Sequence, residues 1–377
     1  MHQAVGMYYN IKREDTCAIA QYVAGLFQAR QVDVFAGDQL QAQRAGIPYL
    51  PRPEFLERIT LMVVIGGDGT FLRAATIVRN AQIPLIGINQ GTLGFLAELE
   101  VEEFEEKLEQ LIAGNYRTEA RMTICGELYR DGARICQTVG LNDVTINRDP
   151  VENTLELDVY LEEQLVDSYQ ADGIIIATPT GSTGYSLSAG GPLIYPGTEC
   201  LIVNPICAHV LGTNAIIVPA AGGIEIHLTR SSKDAYLLTD GRYATHLRQG
   251  DTVRVYKAET PTRIVQLEKH QFFETVRNKL LDRNYRRMHH RGGSECKTED
   301  NAASSRSYPT RPSAPRRNSP SVCSRKALRP LRPPFPAISR SSCSSRSTSA
   351  ATVINTSSLR KHPSPTPSCA WCCGNLS

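Results

Sequence analysis

Five apolar residues, Leu61–Ile65, run straight into Gly66-Gly67-Asp68-Gly69-Thr70, and a helical pattern follows at once. Phe71, Ala74, Ala75 and Val78 fall on one helix face. A strand that passes into a helix through glycines leaves free main-chain N–H groups at the helix start, where anionic groups bind. Without a Cβ, a phosphate comes close to the backbone. A carboxylate among those glycines is out of place in a pure phosphate cradle. It suits a site that also orients a hydroxyl or a metal ion.

The neighbourhood of that loop alternates strand and helix. Ala4–Tyr8 is a short apolar strand, and Thr16–Ala29 reads as a helix carrying Ile19, Tyr22, Val23, Leu26 and Phe27 on its apolar side. Pro84–Ile88 is a further strand, followed by Asn89-Gln90-Gly91-Thr92-Leu93-Gly94-Phe95, a second glycine-containing loop. A helix over Val101–Ala113 buries Phe104, Leu108, Leu111 and Ile112 and stops at Gly114. This order predicts a parallel sheet covered by helices on both faces, over residues 1–115.

After Tyr116 the pattern becomes strands and turns. Thr123–Tyr129 and Arg134–Val139 flank Asp131-Gly132, a strong hairpin signal. Leu155, Leu157, Val159 and Leu161 alternate with polar residues, Gly173–Ala177 is wholly apolar, and further short strands continue to Leu267. Residues 116–267 are therefore expected to form a mostly β, sandwich-like domain. Residues 268–290, with the amphipathic stretch Phe272–Leu281, are expected to pack back onto the first domain.

Beyond about Arg291 Ser, Arg and Pro dominate. Residues 292–377 hold 13 of the chain's 41 Lys and Arg but only 3 of its 38 Asp and Glu. The body before them is mildly acidic, with 28 basic and 35 acidic side chains, which argues against a nucleic-acid surface there. The basic tail lacks the apolar surface to offset its ordering entropy and is expected to be disordered. Cys17, Cys125, Cys136, Cys200 and Cys207 are scattered through the body and read as small buried apolar residues, not a disulfide framework. No apolar run approaches the roughly 20 residues of a membrane helix, and no signal-peptide pattern opens the chain, so a cytoplasmic location is expected.

Two polar clusters stand out in the second domain. Asn142-Asp143 follows a strand-like run and suits ribose hydroxyls. Asp172-Gly173 leads through the Ile174–Ala177 strand into Thr178-Pro179-Thr180-Gly181-Ser182-Thr183-Gly184-Tyr185-Ser186-Leu187-Ser188, rich in hydroxyls and glycine with one aromatic for a base. Neither a Walker A loop nor a dinucleotide GxGxxG is present.

Taken together these pieces resemble the NAD kinases. The resemblance rests on Gly66–Thr70, on Asn89 through Leu96, on Leu141-Asn142-Asp143, on Asp172 through Pro192, on Asn204-Pro205-Ile206-Cys207-Ala208-His209 and on Asp240-Gly241. It covers roughly residues 4–290 and excludes the tail. It implies a Rossmann-like α/β N-terminal domain, a β-rich C-terminal domain and a site between them. There Asp68 would accept the proton of the adenosine ribose 2′-hydroxyl of NAD as ATP, or another phosphoryl donor, phosphorylates it. By the same match Gly67, Asp68, Gly69, Thr70, Asn89, Asn142, Asp143, Asp172, Thr183, Gly184, Tyr185, Ser186, Leu187 and Ser188 contact nucleotide. Asn153, Gln170 and Arg242 fall at more variable contact positions. A divalent ion, Mg²⁺, is implied beside the triphosphate, as is a homodimer or homotetramer, with no membrane partner. His209 reads as structural. The family carries an arginine where Asn214 stands here.

Two rival readings compete. A lipid or sugar kinase sharing the Gly-Gly-Asp-Gly loop would have no use for the Asn142-Asp143 and Thr183–Ser188 clusters. A non-catalytic nucleotide-binding protein acting through its basic tail would bind ligand without forming NADP.

Overall fold

The Leu61–Ile65 strand is apolar along its whole length because both of its faces are covered. In the computed structural model, which describes residues 4–89, 94–96, 99–149, 154–209, 212–230, 235–267 and 272–277, β1 (Ala4–Tyr9), β2 (Asp33–Phe35), β3 (Leu61–Ile65) and β4 (Leu85–Ile88) run parallel in the order β2-β1-β3-β4. Leu61, Val63 and Ile65 of β3 face one apolar cluster, while Met62 and Val64 face another. Helix α1 (Glu14–Gln28) seals the first with Ala20, Val23, Ala24 and Phe27. Two short helices, α2 (Gln39–Ala45) and α3 (Arg52–Arg58), precede β3, and α4 (Asp68–Val78) seals the second cluster with Phe71, Ala74, Ala75 and Val78. The strand order places a topological switch between β1 and β3, where crossings leave in opposite directions. Open α/β sheets bind ligands at the carboxyl edge of such a point, and the Gly66–Thr70 turn stands there.

The 101–113 segment is two helices, α5 (Val101–Glu106) and α6 (Leu108–Ala113), interrupted at Lys107, where φ is −96° and ψ 2°. The apolar spacing survives the break: Phe104, Leu108 and Leu111 are all buried. Next, β5 (Arg117–Arg121) enters the first sheet. Its partner there is the last strand, described below.

The second half is two six-stranded antiparallel sheets. Strands β6 (Ile124–Arg130) and β7 (Ala133–Gly140) form the expected hairpin, with φ of 51° at Asp131 and 77° at Gly132, the twist of a tight two-residue turn. Along the chain follow β8 (Asp143–Arg148), β9 (Leu155–Leu161), β10 (Gln164–Ala171), β11 (Gly173–Ala177), a 3₁₀ turn (Thr180–Thr183), α7 (Tyr185–Ser188), β12 (Cys200–Ile206), β13 (Ile216–Pro219), β14 (Ile224–Arg230), β15 (Ala235–Thr239), β16 (Arg242–Leu247) and β17 (Thr252–Lys257). One sheet has the order β10-β9-β14-β17-β6-β7 and the other β13-β12-β11-β8-β15-β16. Leu155, Leu157, Val159, Val253 and Val255 of the first share a core with Val144, Ile146, Ile174, Ile176, Leu201 and Val203 of the second. That is a sandwich packed face to face.

Strand β11 needs cover on its other side too. Ile175 and Ala177 point away from the sandwich, into a small cluster with Ile202, Ile206, Ala189 and Ile194. The hydroxyl-rich segment after β11 is thereby laid over the outer face of its own sheet.

The last strand, β18 (Thr262–Gln266), pairs parallel with β4 and antiparallel with β5, completing the order β2-β1-β3-β4-β18-β5. Two strands from the 116–267 region thus belong to the first sheet. Of residues 268–290, only 272–277 are described. They are helical, with Phe272 buried edge-on to Tyr195 at 5.6 Å, so this short helix meets the second domain. The expected disorder of 292–377 lies outside the described residues. Among the described residues no helix is long and apolar enough to cross a membrane.

Candidate active site

Asp68 is the first residue of α4, and Gly67 is its N-cap. Gly66 has φ +143°, and a Cβ on it would lie 2.8 Å from Thr70 Oγ1, so the turn from β3 into α4 requires glycine. Open space surrounds Gly67 and Gly69. The half-buried Asp68 carboxylate reaches across to the loop after β4. The Phe95 N–H donates to Oδ2 at 3.1 Å and the Leu96 N–H donates to Oδ1 at 3.0 Å. Each oxygen has taken one N–H and keeps a second lone pair for a ligand hydroxyl. Asn89, at the end of β4, is buried, and its N–H donates to the Leu99 carbonyl at 2.7 Å. Residues 90–93 of the second loop lie outside the described residues.

In the second domain, the segment Leu141-Asn142-Asp143 and the segment after β11 are stitched together. The Thr178 N–H donates to Asn142 O at 2.8 Å, and the Thr178 hydroxyl donates to Leu141 O at 2.7 Å. Gly181 comes so close to the Asn142 carbonyl that a Cβ would collide with it, and Gly184 abuts the Asn142 side chain. Asn142 Oδ1 and Thr180 Oγ1 are buried without a hydrogen-bond partner, polar capacity that the chain itself leaves unused.

Beneath this segment lie two carboxyl groups. Asp240, in the turn between β15 and β16, accepts N–H groups from Leu141 at 3.0 Å, Asn142 at 2.7 Å and Asp143 at 3.2 Å. Its own N–H donates to Asp143 O at 3.0 Å. Burial, with the Asp240 charge beside it, pushes the Asp143 carboxyl up to about 7. Burial also raises Asp240, against the pull of its three N–H donors. A protonated Asp143 is a hydrogen-bond donor, which an ionised one is not.

The remaining expected contacts divide. Asp172 pairs with Arg148, whose Nε donates to Oδ1 at 2.6 Å. Tyr185 is 43% exposed and available to stack on a base. Burial first, then the charges of Cys207, Asp143 and Asp172, raise its hydroxyl pKa, which places these groups in one neighbourhood. Thr183 donates to Thr180 O, Leu187 is half-buried and Ser188 is exposed. Ser186 is fully buried, and its oxygens accept from Asn204 Nδ2 at 3.0 and 3.3 Å, so its side chain supports the segment from inside. Gln170 is exposed, and its amide donates to Thr154 Oγ1. Arg242 donates to Thr76 of α4 at 2.8 Å. Asn153 lies outside the described residues. Cys207 is exposed, unlike the buried Cys125, Cys136 and Cys200, because it sits at φ 48° just past the end of β12. His209 is exposed, with its N–H on the Gln170 carbonyl, and Asn214 is exposed with its amide on Gly212 O.

Phe95 and Leu96 of the first half and Thr180 and Thr183 of the second line one small pocket, together with Arg121, Pro196 and Phe272. Among the described residues no three His, Cys, Asp or Glu side chains converge to hold a metal ion. A divalent ion that arrives bound to a triphosphate needs no such cage, since it takes most of its ligands from phosphates and water. Sequence reasoning gave no role to the Phe95 and Leu96 N–H groups, to Asp240 or to Asn204. Asn204 and Asp240 entered there only as parts of the family resemblance, with no task attached, because an Asp-Gly pair between two alternating segments otherwise reads as a plain turn.

A family model described as the ATP-NAD kinase N-terminal domain matches residues 10–116, and the ATP-NAD kinase C-terminal domain matches residues 141–267. The NAD kinase of Moorella thermoacetica is 36% identical over 305 residues, covering 80% of this chain and 94% of that one. The NAD kinase of Geotalea daltonii is 40% identical over 229 residues, 61% of this chain and 81% of that one. Among solved structures, a yeast NADH kinase complexed with NADH superposes with a TM-score of 0.69 at 23% identity, over 79% of this chain and 90% of that one. An NAD kinase from Archaeoglobus fulgidus in complex with ATP superposes with a TM-score of 0.57 at 25% identity, over 73% and 98%.

Proposed function

The chain belongs to the ATP-NAD kinase family, and from that premise we propose that Asp68 is the carboxylate that takes the proton of the NAD hydroxyl being phosphorylated. The activity itself is phosphorylation of NAD, with ATP as a substrate. The observation that carries the Asp68 assignment is the double N–H contact from Phe95 and Leu96, which aims the carboxylate and leaves one lone pair free on each oxygen.

In the step itself the adenosine 2′-oxygen bonds to the γ-phosphorus as the γ-phosphorus–bridging-oxygen bond breaks. The proton passes to Asp68 and the leaving group is ADP. Positioning and charge neutralisation dominate such a loose transition state. The main-chain N–H groups of Gly67, Asp68 and Gly69 at the start of α4 would face the phosphates, the Thr70 N–H being turned back onto Gly67 O, and a divalent ion bound to the triphosphate would supply the remaining counter-charge. A carboxylate is a weak base toward a sugar hydroxyl, so its share is the general-base range of about 10²–10⁴ in rate, roughly 2.7–5.5 kcal/mol.

NAD lies along Asn142-Asp143 and the 183–188 segment, with Tyr185 against a base and Asp172, steadied by Arg148, at the polar end. Ser186 acts from beneath. A lipid or sugar acceptor would leave this half of the site idle. Homo-oligomeric assembly as a dimer or tetramer and a cytoplasmic setting accompany this reading, and light scattering of the purified chain tests the first. The activity is tested with purified protein, NAD, ATP and Mg²⁺, product being read by an NADP-specific dehydrogenase. NADP formation supports the reading, and nucleotide binding without NADP rejects it.

A further inference from the structure

One tight turn touches both halves of the site. Asp240, at φ 49°, and Gly241, at φ 69°, join β15 to β16. The Asp240 carboxylate gathers the N–H groups of Leu141, Asn142 and Asp143. Two residues later the Arg242 guanidinium donates to Thr76 Oγ1, in the helix that begins at Asp68. The Arg79 guanidinium, just past that helix, also feels the Asp240 charge. We propose that the Asp240-Gly241-Arg242 turn is a positioning device, with Asp240 fixing the acceptor segment Leu141–Asp143 and Arg242 holding the Asp68 helix in register with it.

Asp240 is matched to this task. Three N–H donors converge on one carboxylate, which only an acceptor-only side chain satisfies throughout. An asparagine would turn its amide N–H₂ toward at least one of those donors. The Leu141–Asp143 segment is held from the opposite side by Thr178, so its place is set between β11 and the turn. The helix end of the device is lighter. Thr76 is half-buried, and its hydroxyl also donates to Leu72 O, which orients the oxygen toward Arg242. Arg242 is exposed, so this contact adds little to stability. Its effect is geometric: it relates the proton-accepting carboxylate to the segment that holds the sugar, and misplacement of about 1 Å between reacting groups costs up to about 10²-fold in rate.

This proposal rests on the Asp68 reading, and it reassigns Arg242. As a nucleotide contact Arg242 would act on NAD affinity; as a positioning residue it acts on turnover through Thr76. The test is a double-mutant cycle of Thr76→Val and Arg242→Ala in the full chain, with kcat and KM for NAD measured separately. Each single variant is expected to lower kcat about 3–10-fold with KM for NAD held within about 2-fold, and the double variant to lose no more than either single. Thr76→Ser, which keeps the hydroxyl, is expected to restore wild-type turnover. Asp240→Asn is expected to raise KM for NAD about 10-fold, because it loosens the acceptor segment. The proposal is overturned if Thr76→Val is silent, or if Arg242→Ala raises KM for NAD independently of residue 76. Asp68→Asn runs alongside. Normal turnover in that variant rejects the Asp68 reading, whereas turnover lost there with a silent Thr76→Val rejects the turn alone.

Discussion

The main-chain N–H of Leu96 donates to Asp68 Oδ1 at 3.0 Å, binding the loop after one parallel strand to the acid that starts the helix after its neighbour. β3 and β4 are adjacent and parallel, so both loops emerge on the same edge of the sheet. The carboxylate is thus aimed by its own domain. Under the proposed function the other domain then has only to bring the sugar, a task that falls to Asn142, Asp143 and the segment after β11.

Asp143 gives the fold a pH signature. Its carboxyl is pushed up to about 7, by burial and then by Asp240, whereas an unfolded aspartate titrates near ~3.9. Between those values the folded chain keeps a proton that the unfolded chain has released. The stability this contributes is full below the unfolded value and is lost as pH rises toward the folded one. Asp143→Asn removes the titration. Thermal unfolding of both proteins from about pH 5 to about pH 8 is expected to show the variant gaining on wild type as pH rises. A gap independent of pH would contradict the assignment.

Gly181 tests the fit between the two acceptor segments. A Cβ there meets the Asn142 carbonyl oxygen, a main-chain atom that cannot rotate away. Gly181→Ala is expected to cost about 1–3 kcal/mol, the usual range for overpacking, and to raise KM for NAD by moving Asn142. Chemical denaturation and steady-state kinetics read the two effects.

The basic C-terminal segment is expected to be dispensable for catalysis. The family matches end at residue 267, and every contact assigned to the site lies before residue 278. A chain ended after Arg291 is expected to keep its turnover and its KM for NAD. Loss of NADP formation on that truncation would give the segment a catalytic role.

What the sequence disclosed followed from local chemistry. Leu61–Ile65 announced a strand covered on both faces, Gly66–Thr70 announced a glycine turn from that strand into a helix, and Asp131-Gly132 announced a hairpin whose two positive φ angles the structure contains. What it concealed was non-local. Arg117–Arg121 is polar enough to pass for a connection, and only its pairing with Thr262–Gln266, far along the chain, makes it a strand of the first sheet. Helices α2 and α3 have seven residues each, too few for an apolar period to stand out. The part played by Asp240 depends on N–H groups about a hundred residues earlier, and no spacing rule points there. Ser186 was also concealed: its hydroxyl stands in a polar run that reads as exposed to a ligand, yet in the fold it is buried and accepts from Asn204 Nδ2 at 3.3 Å.

The most direct measurement is on Asp68→Asn, with NAD binding followed by calorimetry and NADP formation followed in the same preparation. Asparagine keeps an oxygen for one of the two N–H donors but is a far poorer proton acceptor. NAD affinity is expected to stay close to wild type while kcat falls by at least ~10²-fold. Near-normal turnover with intact binding would show that another group takes the proton.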